Sequence, residues 1–284
     1  MILVTGAAGG QQGATGRRVT ELLLDAGQQV RAFVRADDHR AEELRKLGAE
    51  VFVGDLREIQ SVRQAVKGVT RAYFTYPVTA GLLDASAAFA MAAREAGLER
   101  VVEVSQLDAG PSAGTPHMRR HWLAEQVFTH ALGDRAVHLR AGVFFENLAV
   151  QAALGKLAMP LGGPDTWIPL VAAEDVARVG AGLVLADPDP EPVCLVNGQM
   201  ATVGQIAAAF GVPYEDLDPG EWERRAREVY RDEVAVEHLS HLWALFRFIG
   251  SGHHPLFVVT PSIRQYGGRD PLTLAGFVSA PGGR

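Results

Sequence analysis

Residues 1–35 read MILVTGAAGGQQGATGRRVTELLLDAGQQVRAFVR. An apolar run, Ile2-Leu3-Val4, leads through Thr5 into a loop carrying Gly6, Gly9, Gly10, Gly13 and Gly16. An amphipathic helix is expected from Arg17, with Val19, Leu22, Leu23 and Ala26 on one side and Gly27 ending it. A second apolar run, 30–34, follows. Strand, glycine loop, helix, strand is the unit that binds a dinucleotide. A glycine directly after the strand permits a tight turn, and later ones let backbone approach a pyrophosphate and let helix pack on sheet. The start of the helix offers free N–H groups and the positive end of its dipole to phosphate. Thr5, Gly6, Gly9, Gln11, Gln12 and Gly13 are the loop's candidate cofactor contacts.

The pattern continues outward from this unit. A helix is expected over 38–47, a strand over 50–53, a helix over 58–66 and a strand over 71–75. A long alanine-rich helix over 81–97, ending at a glycine, precedes a strand at 101–104. After a Gly, Pro and Ser-rich loop at 109–116 come a helix over 117–131 and a strand at 136–139. Such alternation implies a doubly wound parallel sheet, an α/β Rossmann fold with helices on both faces. Beyond Val143 the pattern loosens. The Gly and Pro-rich stretch 157–169 reads as an extended excursion over the sheet edge. A helix over 173–186, a strand at 193–196 and a helix over 202–210 capped by Thr202 follow, and from Pro219 the chain reads as mostly helical. Residues 1–145 are therefore expected to form the cofactor-binding core. Residues 146–284 should finish the sheet edge and build a smaller, mostly helical lobe over a substrate cleft, continuous with the core.

The 284 residues suffice for one large α/β domain with an appendage. A hydrophobic content of 48% against 21% charged residues is that of an ordinary soluble globular chain. The formal net charge of −6 argues against a nucleic-acid backbone as the main partner. The Arg17-Arg18 and Arg224-Arg225-Arg227 clusters sit beside acidic residues and read as solvated helix faces. No run of about eighteen apolar residues occurs, so no membrane span is expected. A first strand at the very start leaves no room for a signal peptide, and a cytoplasmic location is expected. The single cysteine, Cys194, reads as a buried strand residue.

Taken together, TGAAGGQQGATG, VRAFVR, GDL at 54–56, YP at 76–77, SQ at 105–106, HWLAEQVF at 121–128, FFENL at 144–148 and AAEDVA at 172–177 resemble the NmrA-like branch of the atypical short-chain dehydrogenase/reductases. The last seventy or so residues match less clearly. The loop is about one residue longer than the common GxxGxxG form, since Gly6, Gly9 and Gly13 are spaced three and then four apart. The resemblance implies an NAD(P)-binding fold, with Asp55, Leu56, Tyr76, Pro77 and Ser105 on the cofactor. It also implies one of two lives: a reductase of quinones, enones or imines, or a protein that binds the cofactor as a redox signal.

At the end of the second strand an acidic residue would hold the ribose hydroxyls of NAD, whereas arginine would meet the phosphate of NADP. This chain has Arg35 there, with His39 and Arg40 shortly after, and NADP is favoured. Asp37 and Asp38 weigh the other way.

The usual short-chain dehydrogenase carries Tyr-x-x-x-Lys on the helix after the fifth strand. Counted back from Glu125, the resemblance puts His117 and His121 at those two positions. Four residues apart, they share a helix face, and either can act as a proton donor or steady the nicotinamide ribose. The plain alternative is a pair of surface or hydrogen-bonded histidines. No Asp, Glu or Cys nearby completes a metal set. His253-His254, in a Gly/Pro-bounded loop, reads as solvent-exposed. Gln106, Trp122, Phe145 and Asn147 are candidate substrate contacts, with Tyr76 and Phe144 as further flat apolar walls, although Phe144 equally fits the core.

The leading expectation is an NADPH-dependent reductase of a small conjugated carbonyl compound, whose product anion is delocalised and needs no strong acid. The competing expectation, motivated by the missing Tyr and Lys, is a non-catalytic NADP(H) sensor with a protein partner. A cofactor-dependent isomerase is neither supported nor excluded, direct DNA binding is disfavoured, and an oligomer is compatible with either reading.

Overall fold

Alternate residues of the first strand face two different helical layers. In β1 (Ile2–Val4), Ile2 and Val4 pack with Val19 and Leu23 of α1 (Thr15–Asp25), while Leu3 joins the opposite core. Both faces of the strand are therefore apolar, as a central parallel strand requires. The computed structural model describes all residues except 11–13, 231, 251–253 and 281–284. After α1 come β2 (Val30–Val34), α2 (His39–Lys46), β3 (Glu50–Val53), α3 (Ile59–Ala65), β4 (Arg71–Phe74), α4 (Leu82–Ala96), β5 (Arg100–Gln106), α5 (Pro116–Leu132) and β6 (Ala136–Ala141). The chain then forms β7 (Val143–Phe144), α6 (Phe145–Ala152), β8 (Leu157–Met159), β9 (Trp167–Val171) and α7 (Ala173–Leu185) before returning to the sheet as β10 (Val193–Val196). The main sheet has seven strands in the order β10-β6-β5-β4-β1-β2-β3, all parallel.

From β1 the strands run outward one way to β3 and the other way through β4 to β10. The order thus reverses between β1 and β4, where a doubly wound sheet opens a crevice at its carboxyl ends. One face carries α1, α2 and α7, and the other carries α3, α4 and α5, with Phe74, Phe89 and Phe128 tilted together at 4.9–6.2 Å between centroids. Arg100, buried at the start of β5, donates to the Leu183 and Ala186 carbonyls at the end of α7, and Arg71 donates to Val184. Those carbonyls have no helical N–H of their own, and two cations suit the negative end of the helix.

The remaining elements are β11 (Gln199–Thr202), α8 (Val203–Phe210), β12 (Tyr214–Asp216), α9 (Pro219–Val229), α10 (Glu233–Ile249), α11 (Ser262–Gly267) and α12 (Leu274–Ser279). All but α11, whose Ile263 and Tyr266 pack back on the sheet core, build a second core in which Trp222 and Trp243 meet edge to face at 6.5 Å beside Phe145, Leu148 and Phe246. Two short sheets, β11-β9-β7 and β12-β8, support it. No described helix is long and apolar enough to cross a membrane.

Several expectations need correction. Helix α1 begins at Thr15, not Arg17, and Ala26 lies past its end, exposed. The stretch 157–169 is no bare excursion, since it holds β8 and most of β9. Pro169 is tolerated inside β9 because pairing with β7 starts only at Leu170, leaving its missing N–H without consequence on that side. Cys194 is buried in β10, as expected.

The chain crosses between sheet and lobe at Gly142, again at Ala172, and a third time at Asn197. These crossings lie side by side. Gly142 donates its N–H to Val196 (3.2 Å) and Gly198 donates to Leu170 (2.9 Å). A Cβ on Gly142 would stand 2.3 Å from Asn197 Oδ1 and 3.0 Å from the Pro169 carbonyl, so this glycine is required by close approach.

Candidate functional site

Thr5 fastens the floor of the crevice. Its hydroxyl donates to the Thr75 carbonyl and accepts from the Thr75 N–H, both at 2.8 Å, which holds the ends of β1 and β4 together. The hydroxyl proton is thus spent on the fold, as is the Thr5 N–H, which donates to the Tyr73 carbonyl at 3.0 Å, so Thr5 has no donor left for a cofactor. Gly6 follows with φ +63°, and Gly9 with φ +73° donates to the Gly6 carbonyl at 3.0 Å. A Cβ on Gly6 would lie 2.6 Å from Thr75 Cγ2. Helix α1 has no side-chain cap at Ala14 and no acidic residue in its first turn. Among the described residues, therefore, no side chain caps its leading N–H groups, the arrangement that receives a phosphate. The residue that lets helix and strand meet is Gly16, where a Cβ would sit 2.4 Å from the Thr5 carbonyl. Gly16 was visible in the glycine run but was not singled out as a site residue. Gln11, Gln12 and Gly13 lie outside the described residues.

At the ribose end, Arg35 is exposed just past β2 and makes no ion pair or hydrogen bond among the described residues. Asp37 is bound to Arg45 at 2.8 Å. Asp38 caps α2, accepting from the Arg40 N–H at 2.9 Å, and pairs with the Arg40 guanidinium at 2.6 Å. Hydrogen bonding to Arg40 holds the Asp38 carboxyl well below the usual carboxylate range. Asp55 accepts from the Arg57 N–H (2.9 Å) and pairs with its guanidinium (2.8 Å), which likewise keeps it charged. Leu56 is half-buried beside it. Tyr76 is half-buried, donating its hydroxyl to the Ala80 carbonyl at 3.1 Å, and Pro77 is exposed.

At the end of β5 the polar groups turn inward. Ser105 Oγ donates to Glu125 Oε1 at 2.5 Å, and Arg140 grips the same carboxylate with Nε at 2.8 Å and Nη2 at 2.5 Å. Ser105 and Glu125 are buried, so this ion pair braces β5, α5 and β6 from inside. One turn of the sheet deeper, the His138 ring contacts Glu103 Oε2 through Nδ1 at 2.8 Å and the Thr129 hydroxyl through Nε2 at 2.9 Å. Burial pushes the Glu103 carboxyl up to about 7, which the contact with His138 only partly offsets. In the sequence Glu103 is one acid in an otherwise apolar strand, and Glu125 serves only as the reference for locating His117 and His121, not as a candidate site residue.

Thr115 caps α5, accepting from the Met118 N–H at 3.1 Å, and Pro116 occupies its first turn. That start sets the helix phase so that His117 and His121 both face inward, buried at 2% and 7% exposure. Their rings meet edge to face at 4.9 Å. A third ring, His238 of α10, stacks at a tilt on His117 at 4.5 Å and reaches Gln106 at Nε2···Nε2 3.2 Å. Burial pulls the His117 pKa down to about 4, helped by the nearby Arg120, and pulls His121 and His238 well below the ordinary histidine value. All three rings are therefore neutral at pH 7. The alternative of surface or hydrogen-bonded histidines fails for His117, which is buried with both ring nitrogens unpartnered among the described residues. His121 Nδ1, His238 Nδ1 and Gln106 Oε1 are also buried without partners there. Among the described residues no group of three or more His, Cys, Asp or Glu is arranged to hold a metal ion.

The other candidate substrate contacts divide. Trp122 and Asn147 are half-buried, Asn147 on α6. Phe145 is wholly buried and stacks at a tilt on Phe277 at 5.5 Å, so its ring belongs to the lobe core and lines no open surface. Phe144 is half-buried. His254 is half-buried against Phe257 instead of solvent-exposed, and its neighbour His253 lies outside the described residues.

The helix start without a side-chain cap, the glycines at close approach and Arg35, unpaired among the described residues, fit the pyrophosphate and ribose portions of a dinucleotide. Comparison with known proteins agrees. Residues 10–141 match the model of a family described as NAD(P)H-binding. An NAD(P)H azoreductase of Xenophilus azovorans is 28% identical over 293 aligned positions, spanning 99% of this chain and 97% of that protein. In structure the chain is similar to an NADPH-dependent quinone oxidoreductase of Escherichia coli, with TM-score 0.81, 22% identity and 98% of each chain covered. It is also similar to NmrA, a negative transcriptional regulator solved with NADP, at TM-score 0.76 and 20% identity over 98% of this chain and 94% of that one. Residues 10–141 are thus similar to an NAD(P)H-binding family, and the chain has the Rossmann-like fold seen in NmrA and the quinone oxidoreductase.

Proposed function

We propose that this chain is an NADPH-dependent reductase of small, flat, conjugated acceptors, such as quinones and azo compounds. The observation that carries this reading is a set of neutral polar side chains, the half-buried Gln106 and the buried His117 and His121, at the carboxyl end of β5 beside the dinucleotide crevice. Full-length similarity to an NAD(P)H azoreductase supports it. NADPH, when bound, supplies a hydride. The chain's own residues do the rest. The first turn of α1 and the Gly6–Gly9 backbone hold the pyrophosphate, and Arg35 takes the ribose phosphate, which selects NADP over NAD. Gln106, His117 and His121 orient the acceptor and exclude water around it. A neutral imidazole N–H stabilises charge appearing on the acceptor by hydrogen bonding and does not have to surrender its proton, because the delocalised product takes one from water. The balance is one hydride from the cofactor and one proton from solvent, giving a hydroquinone or a hydrazo compound. Incubating the protein with NADPH and panels of quinones and azo dyes, and following loss of NADPH absorbance, tests the proposal. Rates no greater than background across both panels defeat it.

The second reading is a cofactor-ratio sensor. It is favoured by histidines standing where the usual Tyr and Lys would be, and by the likeness to NmrA. It expects a protein partner that is captured with NADP present and released with NADPH, or the reverse, together with unequal affinities for the two forms.

A further inference from the structure

We propose that His238 is a positioning residue of the substrate site. It fixes the Gln106 amide so that Gln106, His117 and His121 together present hydrogen-bonding groups to an uncharged acceptor. The inference rests on the reductase reading for the identity of the acceptor, and it adds a residue from the far lobe.

The geometry is specific. Gln106 ends β5, and His238 lies 132 residues later on α10, yet their nitrogens meet at 3.2 Å. Helix α10 is tied to the cofactor half at two points in its N-terminal part, the second immediately before His238. Its capping residue Asp232 accepts from the Thr79 hydroxyl, three residues past Tyr76, and Glu237 pairs with Arg120 of α5 at 3.3 Å. His238 is thereby delivered onto His117 and Gln106 by a held helix, not by a loose loop. With the amide NH2 of Gln106 donating to the ring Nε2, the other end of the amide is left oriented and unpartnered. An unpartnered buried polar atom is costly, so a fold seldom keeps one without use. Here His238 Nδ1, Gln106 Oε1, His121 Nδ1 and both nitrogens of His117 cluster in one place. Gln106, half-buried, is the member an incoming molecule meets first.

The same residues define the ligand's chemistry. None of the four carries a charge at neutral pH, and Arg120, whose charge reaches His117 and His238, is engaged with Glu237. A carboxylate or sulfonate entering this cluster finds no counter-ion and loses its hydration, whereas a carbonyl oxygen or azo nitrogen finds hydrogen-bond partners.

The test uses the full chain loaded with NADP+, so that no turnover occurs, and menadione as the probe. Binding is measured by calorimetry for the wild type, His238→Leu, His238→Gln, Gln106→Leu and the double leucine variant. NADP+ affinity is measured separately for each. His238→Leu and Gln106→Leu are expected to weaken menadione binding about tenfold or more, near 1.4 kcal/mol. The double variant should lose no more than the weaker single variant, because the two residues act as one unit. His238→Gln should recover most of the loss, and NADP+ affinity should stay within about twofold throughout. A sulfonated menadione should bind the wild type at least about tenfold more weakly than menadione. Unchanged binding in His238→Leu, losses that multiply in the double variant, or a wild type that does not bind menadione would each overturn the proposal. If menadione binding depends on His238 but NADPH is not consumed, the reductase reading fails and this one stands. If NADPH is consumed regardless of His238, the reverse holds.

Discussion

Asp38 and Arg40 close on each other at 2.6 Å, and that pairing removes from the end of β2 the carboxylate that an NAD ribose would need. With Asp37 held by Arg45, Arg35 is left as the group facing outward at this end of the crevice. Replacing Arg35 by alanine is expected to weaken NADPH binding about 10- to 100-fold, the range for a lost hydrogen bond to a charged group of ~1.5–3 kcal/mol. NADH binding should change little. Titration with each cofactor checks this, and an unaltered NADPH-to-NADH preference would show that Arg35 does not read the phosphate.

Gly16 and Gly10 belong to one glycine run but to different physical classes. A Cβ on Gly16 strikes the Thr5 carbonyl at 2.4 Å and the Gly6 backbone at 2.7 Å, while Gly10 has nothing within 4 Å. Gly16→Ala should therefore destabilise the protein by about 1–3 kcal/mol through forced displacement of α1 from β1. It should also weaken cofactor binding. Gly10→Ala should leave the stability of the cofactor-free protein within about 0.5 kcal/mol. Denaturant midpoints measured without cofactor distinguish the two. Equal losses would mean that the run acts only through backbone flexibility.

The buried histidines make a signed prediction about acid. His117 has an ordinary value of 6.5 and a folded value near 4, so the unfolded chain binds a proton that the folded chain refuses. Its share of stability is complete above 6.5 and is lost as pH falls from 6.5 towards 4, a loss of roughly 3 kcal/mol at 1.36 kcal/mol per unit. His117→Leu should abolish that slope. Relative to wild type it should gain stability steadily between pH 6.5 and 4, measured by urea unfolding at several pH values. Glu103 works in the opposite direction, since its raised carboxyl contributes below the ordinary 4.5 and its contribution is lost as pH rises through about 7. A parallel pH dependence for wild type and His117→Leu would refute the burial argument.

Glu125 answers both Ser105 and Arg140, so its removal leaves a guanidinium facing a buried hydroxyl. Glu125→Ala is expected to cost about 3–5 kcal/mol, the range for breaking a buried pair by deleting one partner. At roughly 2–4 °C per kcal/mol for a chain approaching this size, the thermal midpoint should fall by on the order of 10 °C. The double change Glu125→Leu with Arg140→Met should recover much of that loss. A midpoint within a degree or two of wild type for Glu125→Ala would show the network to be dispensable.

Local pattern and distant juxtaposition were unequally legible in the chain. The parallel sheet could be read because its strands are apolar on both faces and its helices carry clear stops at Gly27 and Gly97. Thr202 could be read as a cap because its partner, Gln205, lies three residues away. Strands β7, β11 and β12 could not, being two to four residues long and defined by partners far along the chain. The site divides in the same way. Its phosphate and ribose portions are written in one contiguous stretch, whereas His238 meets Gln106 only through the packing of α10 on the cofactor half. A histidine amid Leu239, His241, Leu242 and Trp243 carries no local sign of that meeting.

The three crossings at Gly142, Ala172 and Asn197 bear on how this scaffold can be re-engineered. Because β10 completes the sheet only after part of the lobe has been built, a new lobe cannot be spliced on at a single seam. A chimera must be cut at these three crossings and again on either side of α11, which packs back on the sheet core, and the donor segments must bring a glycine opposite Asn197, where any larger residue collides. Recombination that respects one boundary near residue 145 would exchange half of a joint, and the product would be expected to misfold before its substrate preference could be assayed.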